Sequence, residues 1–239
     1  DGEKIIMAGS HDNFFYAIDE QGNIIFTVET GDEINSSASF LENSSGILTF
    51  FGSDDGLLYA VSSDGEALSG WPVNLGGDVG TVSFSDLDGD GISEVIVGSE
   101  NKIHVLYLDG TYFNPSHFPI QTEFSITSAP IIVDIDGDND LEIIFGSLAD
   151  LIVIDIMEQG GMNSGYWNMD KGNNRRTGLY EAGSFCGNIE LGDLNCDENI
   201  DIFDLILIVN IILGQMIPDE MQQWSGDFNQ DDNIDILDI

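Results

Sequence analysis

The sequence predicts a mainly β fold, in which about four β-propeller blades, part of a larger propeller, precede a small α-helical C-terminal domain. Three observations carry this. A Gly-Ser dipeptide closes a short apolar run at Gly9-Ser10, Gly52-Ser53, Gly98-Ser99 and Gly146-Ser147, at intervals of 43, 46 and 48 residues. The runs are short, β-branched and aromatic, and Gly, Asp and Asn punctuate them, which is the chemistry of strands and tight turns. Near the C-terminus a twelve-residue pattern of Asp and Asn occurs twice, displaced by 34 residues.

The runs before the four dipeptides are Ile5-Ile6-Met7-Ala8, Thr49-Phe50-Phe51, Val95-Ile96-Val97 and Ile143-Ile144-Phe145. Second runs follow, such as Phe14 to Ile18 and Leu57 to Val61. An aromatic then recurs 16 to 20 residues after each Ser, at Phe26, Trp71, Phe118 and Trp167, and is expected to pack blade against blade. A period of about 45 residues with several short strands per unit is the signature of a propeller blade. Asp1-Gly2 stands where the tail of a loop is expected, so the chain is expected to begin within a repeat and to be a piece of a longer protein.

Forty-four acidic residues against five basic ones give a net charge of -39. That balance excludes electrostatic binding of nucleic acid and docking on an anionic membrane, which need clustered Lys and Arg. With 42% hydrophobic and 10% aromatic residues, the chain can nevertheless bury cores. Its longest apolar run, Leu205 to Leu213, is nine residues interrupted by Asn210, so no membrane insertion is expected. Cys186 and Cys196 match no metal-binding spacing, which leaves a local disulfide and two separate thiols both open.

Two repeats carry acids directly before the Gly-Ser strand. One places Asp86, Asp88, Asp90 and Glu94 at the first, third, fifth and ninth positions, with the Ile92 carbonyl at the seventh. The other places Asp134, Asp136, Asp138, Asp140 and Glu142 at the same positions. Such a set can wrap one Ca²⁺, which takes six to eight hard oxygen ligands. The sixth position must turn sharply, and Gly91 and Asn139 tolerate that. The second repeat is an internal control. Its matching window, Phe40 to Leu48, keeps of these acids only Glu42 at the third position and has kept the strand, so the strand itself does not need metal.

Residues 1 to about 180 resemble FG-GAP (VCBS-type) propeller repeats, as in integrin α-chain heads and many secreted bacterial proteins. The motif D-x-D-G-D-G-x-x-E before an apolar-Gly-Ser strand carries the resemblance. The stretch from Trp167 through Lys171, Arg175 and Arg176 to Tyr180 is similar to the segment that ends such propellers, and is expected to anchor against acidic turns.

In the tail, Asp193, Asn195, Asp197, Asn199, Asp201 and Asp204 offer oxygens at positions one, three, five, seven, nine and twelve. Asp227, Asn229, Asp231, Asn233, Asp235 and Asp238 repeat them. Both are calcium-loop patterns, and Leu205 to Leu213 between them reads as a helix ended by Gly214 and packed against a partner helix. This duplication resembles a type I dockerin, a secreted module that folds around two Ca²⁺ ions and plugs into a cohesin. Two departures bear on that resemblance. Glu198 and Asp232 replace the usual Gly at position six, and Ile202-Phe203 and Ile236-Leu237 replace small polar residues where cohesin contacts are expected. The second helix would begin only at the last residues.

The domains expected are blades over 1–181, a linker over 182–190 and the dockerin-like domain over 191–239, with about four Ca²⁺ ions in all. No catalytic motif is present, His11, His104 and His117 are isolated and expected on loops or strand surfaces, and no enzyme activity is expected of this chain. The leading function is a non-catalytic, calcium-stabilised extracellular or cell-surface interaction protein, its partner a protein or another copy, with carbohydrate as a further ligand class. The ancillary region of a secreted polysaccharide-degrading enzyme and a self-assembling filament subunit are the alternatives.

Overall fold

The computed structural model describes residues 4–43, 46–138, 140–158, 161, 166–172, 178, 180, 191–192, 194, 200, 202–213, 218, 225–229 and 233–238. It divides into two compact units, Asp1–Tyr180 and Glu181–Ile239.

The first unit is mainly β, because the apolar runs alternate in two-residue steps between Gly- and Asp-rich turns. Among the described residues its strands form four small antiparallel sheets. Sheet I holds β1 (Ile6–Gly9), β2 (Phe14–Ile18) and β3 (Ile24–Glu29). Sheet II holds β4 (Ser39–Asn43), β5 (Gly46–Gly52), β6 (Leu57–Ser62) and β7 (Val73–Asn74). Sheet III holds β8 (Ser83–Ser85), β9 (Glu94–Ser99), β10 (Lys102–Leu106) and β11 (Ile120–Gln121). Sheet IV holds β12 (Ile131–Val133), β13 (Glu142–Gly146) and β14 (Leu151–Asp155). Strands neighbour each other in chain order within every sheet. The repeat register is conserved across sheets: Gly9 faces Phe15, Gly52 faces Leu58, Gly98 faces Ile103 and Gly146 faces Leu151.

Apolar faces join successive sheets. Between I and II, Phe15 stacks on Phe51 at 4.0 Å and Phe51 on Tyr59 at 5.1 Å. Between II and III, Phe50 meets Phe84 edge-on at 4.9 Å and Trp71 at 5.2 Å. Ile96, Ile103 and Val105 of III share one buried cluster with Ile132, Ile143 and Phe145 of IV. Hydroxyls tie the same neighbours together: Ser39 Oγ donates to the Val82 carbonyl and Ser83 Oγ to the Pro130 carbonyl.

The Gly-Ser signal has a packing cause. A Cβ on Gly9, Gly52 or Gly98 would run into Ile34, Val79 or Ile126, each on the segment that follows its own sheet. The serine then reaches the segment before its sheet, Ser53 Oγ to the Asp32 carbonyl and Ser99 Oγ to the Gly76 carbonyl.

The terminal stretch of this unit crosses the first strands of three sheets. The Ile132 N–H donates to Asn168, the Phe84 N–H to Trp167, Trp167 packs edge-on against Phe40 at 5.3 Å, and the Tyr180 hydroxyl donates to Glu42. Of its basic residues, Lys171 is described, in a 3-10 turn at Asp170–Gly172; Arg175 and Arg176 lie outside the described residues.

In the second unit the helix α1 spans Ile202–Ile212, starting earlier than the apolar run suggests. Asp204 sits in its first turn, where the positive end of the helix dipole favours a carboxylate. The helix is not buried all round: Ile208 is buried while Ile202, Ile206 and Val209 are exposed. Among the described residues no helix is long and apolar enough to cross a membrane.

Phe84 is fully buried between sheets II and III, so Phe84→Ala should lower unfolding free energy by about 3–5 kcal/mol, read from urea denaturation. Phe124→Ala, at a partly exposed position, should change it by less than about 1 kcal/mol. Equal losses at the two positions would contradict the packing described.

Candidate metal centres

In sheet III the hairpin between β8 and β9 opens into the loop Asp86 to Ser93. Asp86 is buried and organises it: Oδ1 accepts from the N–H groups of Gly89 and Asp90, and Oδ2 from that of Gly91. Asp90 accepts from the Ile92 N–H, and Asp88 from that of Asp90. One carboxylate oxygen each from Asp86, Asp88 and Asp90 lies within 4.8 Å of the other two. Glu94, at the start of β9, is fully buried; its Oε2 accepts from the Leu87 N–H at 2.7 Å, and its Oε1 has no protein partner.

The loop between β12 and β13 repeats this. Asp134 accepts from the Gly137 N–H, and Glu142 Oε2 accepts from the Ile135 N–H at 2.7 Å. Two overlapping groups of close oxygens result, Asp134 with Asp136 and Glu142, and Asp138 with Asp140 and Glu142. The Asp140 side chain is therefore part of the cluster, and its buried Oδ1 has no protein partner. Gly91 has the left-handed backbone expected at position six, with φ 83°. Gly89 and Gly137, at position four, share it, which the D-x-D-G pattern in both loops signals and which the emphasis on position six missed. Asn139 lies outside the described residues.

Burial sets the electrostatics. Loss of solvation, reinforced by Asp88, Asp86 and Asp90, pushes the Glu94 carboxyl up to about 8. Burial raises Asp86 against the N–H bonds that lower it. Burial followed by the neighbouring Asp138 charge raises Asp140 to about 6. Tyr166, which sequence patterning did not single out, is pushed up to about 12 by burial and then by Asp86, Glu94 and Asp90.

In the tail the described ligand candidates are Asp204, Asp227, Asn229, Asn233, Asp235 and Asp238; Asp193, Asn195, Asp197, Asn199, Asp201 and Asp231 lie outside the described residues, as do Cys186, Cys196 and the linker 182–190. The twelfth-position carboxylates are buried and fold back to their own loops. Asp204 accepts from the Leu194 N–H at 2.8 Å; Asp238 accepts from the Asn229 and Asp235 N–H groups. The residues just before the two loops meet, the Gly192 N–H donating to the Ser225 carbonyl. Ile236–Asp238, the last three positions of the second loop, forms a 3-10 turn.

Residues 191–239 match the type I dockerin domain. Residues 86–145 match the FG-GAP-like repeat, a window that begins at Asp86 and contains both acidic loops of the first unit. FG-GAP repeats and dockerin domains are non-catalytic modules; dockerin domains bind Ca²⁺, dock onto cohesins and are typical of secreted or cell-surface proteins. No curated protein matches the chain. Similar solved structures include the computationally designed Ika4 protein (16% identity, TM-score 0.47, covering 65% of this chain and 87% of that one). The computationally designed Ika8 protein also matches (16%, 0.45, 67% and 45%), as does BBS1N in complex with ARL6DN (16%, 0.44, 63% and 47%). The chain thus spans less than half the length of the last two.

The histidines form no shared site. His104 is buried on β10 rather than on a surface, its Nδ1 2.8 Å from the Tyr112 hydroxyl, and burial lowers it to about 4. That strand position holds Tyr59 in sheet II, so an aromatic-sized ring fits there. His11 lies exposed beside Asn35 and Glu33, and His117 is exposed on a loop.

Glu94 holds its proton in the folded, metal-free protein up to about pH 8, while the unfolded chain releases it near its ordinary 4.5. The folded state therefore binds more protons between these values, and metal-free stability falls as pH rises. From about pH 7 to about pH 8, where the mostly neutral unfolded His104 offsets the slope only in small part, the urea midpoint in EGTA should drop, and Glu94→Gln should flatten the slope. A midpoint that rises over this range would contradict the assignment.

Proposed function

We propose that this chain is a non-catalytic, calcium-stabilised extracellular interaction protein, whose sheets are blades of a propeller and whose tail is a docking element. The observation that carries the reading is common to both units: the last acid of each described loop is buried and bonded back to the loop's own start. Buried carboxylate oxygens without a partner, Glu94 Oε1 and Asp140 Oδ1, are what a hard cation satisfies.

On this reading Asp86, Asp88, Asp90, the Ile92 carbonyl and Glu94 hold one Ca²⁺, and Asp134, Asp136, Asp138, Asp140 and Glu142 a second. Asp193, Asn195, Asp197, Asn199, Asp201 and Asp204 hold a third, and Asp227, Asn229, Asp231, Asn233, Asp235 and Asp238 a fourth. The blades occupy 1–181 and the docking domain 191–239. The bound ion supplies positive charge; the protein supplies the cage and the N–H groups that hold it open. Millimolar extracellular calcium then adds on the order of 1–4 kcal/mol per site for affinities of about 1–100 μM.

Docking is favoured by what the duplicated loops display. Ile202 and Ile236 occupy the tenth position of the two loops and both are exposed. A partner face that is apolar rather than hydrogen-bonding suits them.

EGTA should lower the melting temperature, with calcium but not magnesium restoring it. Asp86→Ala and Asp238→Ala should each remove part of the calcium-induced rise, and Asp238→Ala alone should weaken binding to a purified type I cohesin by tenfold or more in calorimetry. Melting unchanged by chelator would overturn the calcium reading, and cohesin binding that is absent, or indifferent to Asp238→Ala, the docking one.

A further inference from the structure

The conserved register makes the two faces of every sheet comparable position by position. One face meets the preceding sheet: Thr49 and Phe51 in II, Val95 and Val97 in III, Ile143 and Phe145 in IV. All six are fully buried. The matching positions in sheet I, three and one residues before Gly9, are Ile6 and Ala8, and Ile6 is 62% exposed. Ile24, paired with Ile18 two strands away on that side, is 58% exposed.

The other face meets the following sheet. Phe15 and Ala17 in I, Leu58 and Ala60 in II, and Ile103 and Val105 in III are 1% exposed or less. The matching residues of sheet IV are Leu151 and Val153, at 72% and 50% exposure. Val153 pairs with Ile144, and Ile144 with the exposed Ile131, so the open side is a continuous apolar surface across three strands.

Sheets I and IV therefore each present one half of an inter-sheet contact that occurs three times inside the unit. The halves are complementary in type: the open face of IV corresponds to the one that I, II and III present forward, and the open face of I to the one that II, III and IV present backward. We propose that the open face of sheet IV in one copy of this chain packs on the open face of sheet I in a second copy, continuing the stack between molecules by the contact that joins I to II, II to III and III to IV. The contact is heterologous, so it closes a ring of copies or propagates as a series. The charge of -39 on each copy opposes it at low ionic strength, and salt at about 0.15 M screens that repulsion beyond about 8 Å. The inference rests on the sheet register and not on the calcium reading.

The test is the mass of the full chain in solution, by sedimentation equilibrium over micromolar to about 100 μM protein in physiological salt and millimolar calcium. Wild type should be a dimer or larger. Ile6→Lys and Val153→Lys, both at exposed positions, should each be folded monomers with unchanged circular dichroism, melting as the wild type does at concentrations where it is dissociated. Mixed one to one, they should recover a 1:1 dimer, because each retains the half that the other has lost. A monomeric wild type would overturn the proposal and leave these faces to sheets from a different chain or segment. Self-association that survives Val153→Lys, or a mixture that stays monomeric, would overturn it too and move any association to another surface.

Discussion

The constraint on which every candidate metal centre depends is the burial of carboxylates in a chain with almost no cations. Five Lys and Arg stand against 44 acids, so side-chain ion pairing cannot neutralise the acids that folding removes from water. Glu94, Glu142, Asp204 and Asp238 are nonetheless buried. Backbone N–H groups offset part of the penalty, and each of these carboxylates accepts at least one. What remains must be met by a proton or by a bound cation. The upward displacement of Glu94 expresses the first option and the ring of nearby oxygens the second.

That constraint sits on a scaffold that does not require it. In sheet II, β4 and β5 pair from Ser39↔Phe50 down to Asn43↔Gly46 with no acidic loop between them, and Phe50 is as buried as Ile96 or Phe145. In sheets III and IV the hairpin tip is replaced by an eight-residue loop whose carboxylates hold it by Asx-type hydrogen bonds. The core therefore comes from stacked apolar faces, while the acids govern only the loop tips. The 19 acids within the four candidate loops are a specialised subset of the 44 and leave a large acidic remainder on other surfaces.

Much of this was legible in the sequence. Each apolar run quoted before a Gly-Ser lies in or overlaps a strand, and β2 begins and ends at Phe14 and Ile18 as the pattern indicates. Period and apolar alternation are local properties, so they survive translation into structure. The acidic clusters of sheets III and IV were legible for the same reason, since the carboxylates that approach one another there lie within nine residues of chain. What the pattern could not supply is non-local. The path of Trp167 and Asn168 across β8 and β12 depends on backbone hydrogen bonds over separations of 36 residues or more, with no side-chain signature. The burial of His104 follows from the sheet II–III interface, and its polar ring disguised an inward strand position. Helix α1 begins at Ile202 because a ligand-pattern Asp also serves as a first-turn acid, and apolar counting skips it.

The central claim is that calcium, rather than protons alone, satisfies the buried acids of both units. The most direct test is the number of Ca²⁺ ions bound per folded chain at pH 7, by equilibrium dialysis against millimolar calcium. About four ions are expected for the wild type, with one fewer in Asp86→Ala and one fewer in Asp238→Ala while circular dichroism is unchanged. A folded wild type that retains no calcium, or folded variants that keep the full complement, would contradict the account.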